Sequence, residues 1–353
     1  MKYAVLICKH GDGFCLWDTQ ATDYNAMRIG PRRDLVREFV DACREFGLRV
    51  GLYYCIPDLH FPDSMTDCVK SRAARERYTA FTRQCVRELV SNYGKIDILW
   101  YDGGWIFDDA AIRSMHINRM VRRIQPDIII NDRFMLPEDY TTPEGRVAAA
   151  GAGREWEACM TFNGMSWGYM PSADIDAWRG RDILNMLHTA ACGNGNLLLN
   201  IGPGPDGSVP PQCFKPLREV GQWLARYGEA VKGKFDPVPW IKATATSIYT
   251  RKGNVLYVWV RYWPGHELPL GGFTTRLKKA AFLADGKPIA FTQEGPRIIL
   301  QGLPSRAPDP ETGVTVLKLT FAAPPHNVNH VWERRHVAWA RAMEAQPARK
   351  GRR

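Results

Sequence analysis

The chain has 353 residues, 45% of them hydrophobic and 24% charged, with a formal net charge of +10. That length suits a barrel of about 250 residues plus a smaller module, and the composition excludes a disordered or collagen-like chain. Half of the excess charge falls in Glu333–Arg353, which holds seven Lys/Arg against two Glu, so the rest is too thinly spread to mark a nucleic-acid surface.

In chain order, short β-rich apolar runs alternate with helical patterns. Tyr3–Cys8, Arg49–Cys55, Ile96–Tyr101, Asp127–Asn131 and Asn196–Ile201 are expected as strands, with a less regular stretch near Trp156–Thr161. Between and after them Arg33–Phe46, Arg72–Asn92, Asp108–Ile124, Asp182–Ala191 and Pro210–Tyr227 are expected as helices. A parallel strand pair needs a crossover, which a helix usually supplies, so the alternation predicts a parallel α/β sheet of about six strands where a closed barrel has eight. Past a Gly/Pro-containing linker, Lys232–Pro239, the pattern changes to period two in Ser247–Arg251, Val255–Tyr262, Lys278–Leu283, Arg297–Leu300 and Val314–Phe321. These predict a small antiparallel β-sandwich. The expected division is a barrel over 1–231, a sandwich over 240–325 and a basic tail over 326–353.

Nine cysteines without C-x-x-C spacing read as buried free thiols, not as a zinc or redox motif. No apolar run reaches the roughly 18 residues needed to cross a bilayer, and Met1-Lys2 leads straight into the first strand with no signal peptide, so no membrane partner is expected.

In a barrel, chemistry gathers where strands end and the following loops begin. Asp102 closes the run Ile98-Leu99-Trp100-Tyr101 and opens into Gly103-Gly104. A carboxylate there either faces a cleft or caps the next helix. Asp97 begins the same strand and so belongs to the opposite, stabilising end. Glycoside hydrolysis needs a second carboxyl group. Glu144, in the loop after Asp127–Asn131, serves as that group or as a solvated acid; Glu157, in Trp156-Glu157-Ala158, serves as that group or as half of a salt bridge. Trp17, Tyr53, Trp100 and Trp167 offer apolar faces for a sugar ring, or are core. His10, Asp12 and His60 lack metal-ligand spacing, so neither metal nor cofactor is expected.

Taken in order, the motifs resemble glycoside hydrolase family 29, the α-L-fucosidases. The matching runs are Lys9-His10-Gly11-Asp12-Gly13-Phe14, Gly51-Leu52-Tyr53-Tyr54, Leu99-Trp100-Tyr101-Asp102-Gly103, Asn131-Asp132-Arg133, Trp156-Glu157, Ser166-Trp167-Gly168-Tyr169 and Gly195-Asn196-Leu197-Leu198-Leu199-Asn200. The resemblance implies a (β/α)8-type barrel and a retaining exo-hydrolase acting on terminal α-L-fucosyl groups of oligosaccharides or glycoconjugates. It places the nucleophile on Asp102 and the acid/base on Glu144, with Glu157 in reserve. Sugar contacts fall on His10, Tyr53, Trp100, Arg133 and Trp167, and more loosely on Trp17 and His60. For retention the two carboxyls should lie about 5–5.5 Å apart. Two departures from the family pattern stand out: Gly11 replaces a second histidine, and the family's opening His-Trp-Gly-like strand has no counterpart, so the barrel is expected to lack its first βα unit. A sugar-binding protein without turnover is the competing expectation.

Overall fold

The computed structural model describes residues 2–62, 64–106, 110–148, 153–164, 166–171, 178–238 and 246–327. The basic tail from 328 onward, the start of the helix expected at Asp108 and the end of the linker at Pro239 lie outside them. The chain forms two compact units, one of Met1–Thr142 with Ala149–Trp156, the other of Pro143–Ala148 with Glu157–Arg353.

The first unit is a parallel α/β sheet. Its elements are β1 (Tyr3–Lys9), α1 (Leu35–Glu45), β2 (Arg49–Cys55), α2 (Thr66–Lys70), α3 (Arg72–Ser91), β3 (Ile98–Asp102), α4 (Ala110–Ile124), β4 (Ile129–Ile130) and β5 (Tyr140–Thr141). The strands run β1-β2-β3-β4, all parallel, with Leu52 opposite Leu99 and Cys55 opposite Asp102. All of β2 after Arg49 is buried, as expected of a parallel strand covered on both faces. Helix α1 begins where the Asp34 carboxylate accepts the Arg37 N–H at 2.8 Å, and it buries Val36, Val40 and Cys43 at helical spacing. Asp97 accepts the Val50 N–H at 2.9 Å and so fastens the entering ends of β2 and β3, as its position implied.

Two features of this unit depart from the expectation. The two-residue strand β5, too short to carry a periodic signal, pairs in parallel with the first residues of β6 (Glu155–Thr161), Tyr140 opposite Glu155 and Thr141 opposite Trp156. The stretch near Trp156 is thus a regular strand, and the parallel strands among the described residues number seven, β1 to β6 and one more at Asn196–Asn200.

In the second unit the rest of β6 pairs in parallel with β7 (Asn196–Asn200), flanked by α5 (Gly180–Cys192) and α6 (Pro211–Tyr227). Seven antiparallel strands follow: β8 (Ser247–Lys252), β9 (Val255–Val260), β10 (Glu267–Leu270), β11 (Leu277–Phe282), β12 (Ala290–Glu294), β13 (Arg297–Gln301) and β14 (Thr315–Phe321). They form two sheets, β11-β14-β9-β8 and β10-β13-β12. The period-two pattern is visible in β9: Leu256, Val258 and Val260 enter the core with Ile298 and Leu300 of β13, while Tyr257 and Trp259 enter a second core with Trp223 and Tyr227 of α6. Trp223 donates to the Val314 carbonyl at 2.8 Å and packs 4.7 Å from Trp259, so α6 and this sheet share one core. All nine cysteines are free, eight of them buried.

Candidate active site

The first unit gathers the expected side chains around Asp102, the last residue of β3. Glycine is needed just beyond it: a Cβ on Gly103 would run into the Pro57 ring, and one on Gly104 into the Arg133 carbonyl. The loop therefore closes tightly on its neighbours while the carboxylate stays one-fifth exposed.

The carboxylate is held from three sides. The Tyr53 hydroxyl donates to Oδ2 at 2.6 Å, and Arg133 Nη1 and the Gly103 N–H each donate to Oδ1 at 2.9 Å. Burial, then the bond to Asp102, pushes the Tyr53 phenol far above its ordinary value, so this hydroxyl remains a donor throughout the working pH range. Charge-assisted bonds of this length fix orientation as well as energy.

Arg133 reaches this position through its local backbone. Asn131 is fully buried and exchanges two side-chain hydrogen bonds with the Tyr101 main chain, each 2.9 Å, which extends the ladder beyond the two residues of β4. A single 3-10 turn, Asp132–Phe134, follows, and Phe134 packs 5.0 Å from the Tyr101 ring. Arg133 Nε then donates to Thr142 Oγ1 at 2.7 Å and Nη2 to the Thr142 carbonyl at 3.0 Å. Its guanidinium lies 6.0 Å from the Trp100 ring and 5.8 Å from the Trp105 ring. His10 is exposed and stacks on Tyr53 at 5.9 Å with rings nearly parallel. Trp100 is largely buried, edge-on to Tyr140 at 6.0 Å.

Two expected sugar contacts, Trp17 and His60, have partners of their own. Trp17 has no exposed surface; its indole N–H donates to Glu88 at 2.9 Å, and the same carboxylate accepts from Thr19 at 2.6 Å, Gln84 at 2.9 Å and the Gln20 N–H at 3.1 Å. A ring enclosed in this way cannot stack on a ligand, so Trp17 is core. His60 is exposed and stacks on Tyr24 at 3.9 Å. Trp105 and Thr142 went unnoticed in the sequence; the signal for Trp105 was its place three residues past Asp102 in the same loop.

The other candidate carboxyls belong to the second unit. Glu144 lies on a segment laid along β6, where the Cys159 N–H donates to the Pro143 carbonyl at 2.8 Å and the Gly145 N–H to the Cys159 carbonyl at 3.0 Å. It is exposed and accepts the Trp167 indole N–H at 2.7 Å. Trp167 is 41% exposed, and its loop is held by Asn200 at the end of β7, which donates to the Trp167 carbonyl at 2.9 Å and to Thr161 at 3.1 Å. Glu144 and Trp167 together thus offer an accessible acid beside an open aromatic face.

Glu157 differs. It is 4% exposed within β6, opposite Asn196, the first residue of β7. Burial pushes its carboxyl up to about 7, against which a hydrogen bond from Asn196 works weakly. It has a proton to give near neutrality but no surface from which to give it. Among the described residues no group of three or more His, Cys, Asp or Glu could hold a metal ion.

With this geometry in place, three comparisons bear on the chain. The alpha-L-fucosidase family model matches residues 1–229. Human tissue alpha-L-fucosidase is 30% identical over 341 residues, which cover 90% of this chain and 72% of the relative. Among solved structures, alpha-L-fucosidase isoenzyme 1 from Paenibacillus thiaminolyticus is 31% identical at a TM-score of 0.79, covering 91% of this chain and 83% of its own. A family 29 alpha-L-fucosidase from Bacteroides thetaiotaomicron, trapped as a covalent intermediate with 2-fluoro-fucosyl fluoride, is 26% identical at a TM-score of 0.78, covering 91% of this chain and 79% of its own.

Proposed function

The chain belongs to the alpha-L-fucosidase family of glycoside hydrolases, and on that premise we propose that it releases terminal α-L-fucosyl groups from glycans with retention, Asp102 being the nucleophile. The observation that carries this reading is the Asp102 carboxylate itself: at the C-terminal end of a parallel strand, partly exposed, and fixed by Tyr53 and Arg133.

In the first step an Asp102 oxygen attacks the anomeric carbon as the glycosidic C–O bond breaks, and the acid gives its proton to the departing oxygen. Oδ1 is anchored by Arg133 and Gly103, whereas Oδ2 has the Tyr53 hydroxyl, so Oδ2 is the attacking atom. In the second step water, losing its proton to the same acid/base group, attacks the anomeric carbon and frees the carboxylate. Two inversions leave the configuration unchanged.

For the acid/base we assign Glu144 in preference to Glu157, a choice that accessibility supports. Glu144 is exposed beside Trp167, whereas Glu157, opposite Asn196, is buried on its strand. His10, Tyr53, Trp100 and Arg133 line the sugar subsite, and Trp167 offers its face to the apolar side of the deoxysugar. The finer fold reading that accompanies this function is a (β/α)8-type barrel followed by a β-sandwich.

Proton NMR of an aryl α-L-fucoside digest tests the reading. The α anomer of free fucose should appear first, and Asp102→Asn should abolish release. First appearance of the β anomer, or turnover that survives the substitution, refutes it.

A further inference from the structure

We propose that the buried Lys9–Asp58 ion pair is a positioning device for the catalytic carboxylate, a reading that rests on the role of Asp102 given above. The two side chains are 0% and 1% exposed, with Nζ 3.2 Å from Oδ2. Neither touches Asp102, and the argument concerns what they hold.

Strand β1 changes register against β2 between Ile7 and Lys9, pairing Ile7 with Tyr53 and Lys9 with Tyr54. A bulge re-aims the side chains that follow it. Lys9 therefore turns inward, its ammonium 4.9 Å from the Tyr54 ring centre, while His10 stacks on Tyr53, the residue bonded to Asp102. Besides Asp58, Lys9 Nζ donates to the Pro57 carbonyl at 3.1 Å.

Asp58 binds the same loop from within. Its Oδ1 accepts the N–H groups of His60 at 3.0 Å and Phe61 at 2.8 Å, making a compact turn. That turn is fastened at both ends to strand ends of the site. The Ile56 N–H donates to the Asp102 carbonyl and the Leu59 N–H to the Gly11 carbonyl, each at 2.8 Å, and the Pro57 ring fills the space a Cβ on Gly103 would need. The Ile56 carbonyl also accepts the Tyr78 hydroxyl, which ties the loop to α3. One salt bridge thus joins the ends of β1 and β2 beneath His10 and sets the wall against which the Asp102–Gly103 turn is seated.

A buried pair of this kind is weak evidence for stability, because two apolar or neutral side chains often do as well, whereas removing one partner leaves an uncompensated charge. That asymmetry separates positioning from mere support. Asp58→Asn keeps an acceptor for the His60 and Phe61 N–H groups but loses the charge; Lys9→Met with Asp58→Asn removes both charges and keeps the volumes.

The experiment measures kcat and KM on an aryl α-L-fucoside, each variant well below its own unfolding midpoint, with the rate of inactivation by a 2-fluoro-fucosyl fluoride as a second readout. Misplacing a reacting group by about 1 Å costs on the order of a hundredfold. The expected result is an unfolding midpoint restored in the double variant while kcat and the inactivation rate stay at least about tenfold down, with KM changed less. An active wild type whose refolded double variant recovers kcat to within about twofold overturns the proposal alone, as does a loss of activity in Asp58→Asn that merely follows its loss of folded protein. A wild type without turnover overturns the function of the site and this proposal with it.

Discussion

Glu157→Gln separates a stability role from a catalytic one. The folded carboxyl, raised by burial from 4.5 to about 7, resists ionisation by about 3 kcal/mol at roughly 1.4 kcal/mol per pH unit. Below pH 4.5 folded and unfolded chains both carry this proton, and it contributes no pH dependence. Between pH 4.5 and 7 the unfolded chain releases a proton that the folded chain keeps, so the unfolded state gains and stability falls as pH rises. Above about 7 both states are ionised and the loss is complete. Glutamine keeps the shape and a hydrogen-bonding partner for Asn196 but does not titrate. Urea unfolding midpoints of wild type and variant, measured in parallel across this range, cancel the contributions of every other group. The variant should gain about 3 kcal/mol relative to wild type as pH rises, with kcat kept within about threefold. A stability difference independent of pH refutes the burial argument, and a collapse of kcat in the folded variant would make Glu157 the acid/base after all.

Other substitutions address the remaining assignments. Glu144→Ala should depress turnover of fucosides with poor leaving groups by about 100-fold or more, while an activated aryl fucoside, limited in the variant by the second step, should be accelerated by azide with release of fucosyl azide; a variant without the first effect excludes Glu144. Tyr53→Phe removes one hydrogen bond to a charged oxygen and should cost about 1.5–3 kcal/mol in the barrier, read as a 10- to 100-fold lower kcat/KM; an unchanged value would show that Oδ2 needs no donor. Trp17→Phe should lower the free energy of unfolding by about 1–3 kcal/mol with KM unchanged, since it strands part of the Glu88 carboxylate; a raised KM would return Trp17 to the sugar subsite. Gly11→His meets no atom within 4 Å of its new Cβ, so the variant should fold and bind fucose several-fold more tightly by calorimetry. Unaltered affinity would show that this position lies outside the subsite.

The centre of the site was legible because strand direction and the place of a residue along a strand are both written in the chain. Asp102, last in an apolar run before two glycines, could be assigned to a loop end, and Asp97, first in the same run, to the opposite end. Tyr53 follows from the same reasoning one strand earlier. What the sequence concealed were side chains whose neighbours lie far along the chain. Trp17 sits in a motif that looks like a sugar platform, but Glu88, 71 positions away on a helix that reads as a solvated charged face, encloses it. Lys9 precedes a histidine in a polar run and shows no sign of burial, because the register shift that turns it inward is a property of strand pairing. Strands β5 and β10, two and four residues long, carry too few positions to show a period, whereas β9 and β14 show theirs plainly. Glu144 ranks above Glu157 in the sequence only through the family resemblance, since composition and periodicity do not show which of the two carboxyls is buried. Their exposure distinguishes them.

The most direct test of the account is to identify the residue that bonds to the sugar. Wild-type protein treated with 2-fluoro-fucosyl fluoride, digested and analysed by tandem mass spectrometry should carry one fluorofucosyl group on the Asp102 carboxylate, and Asp102→Asn should carry none. A label on another side chain, or an active wild type that never acquires one, would contradict it.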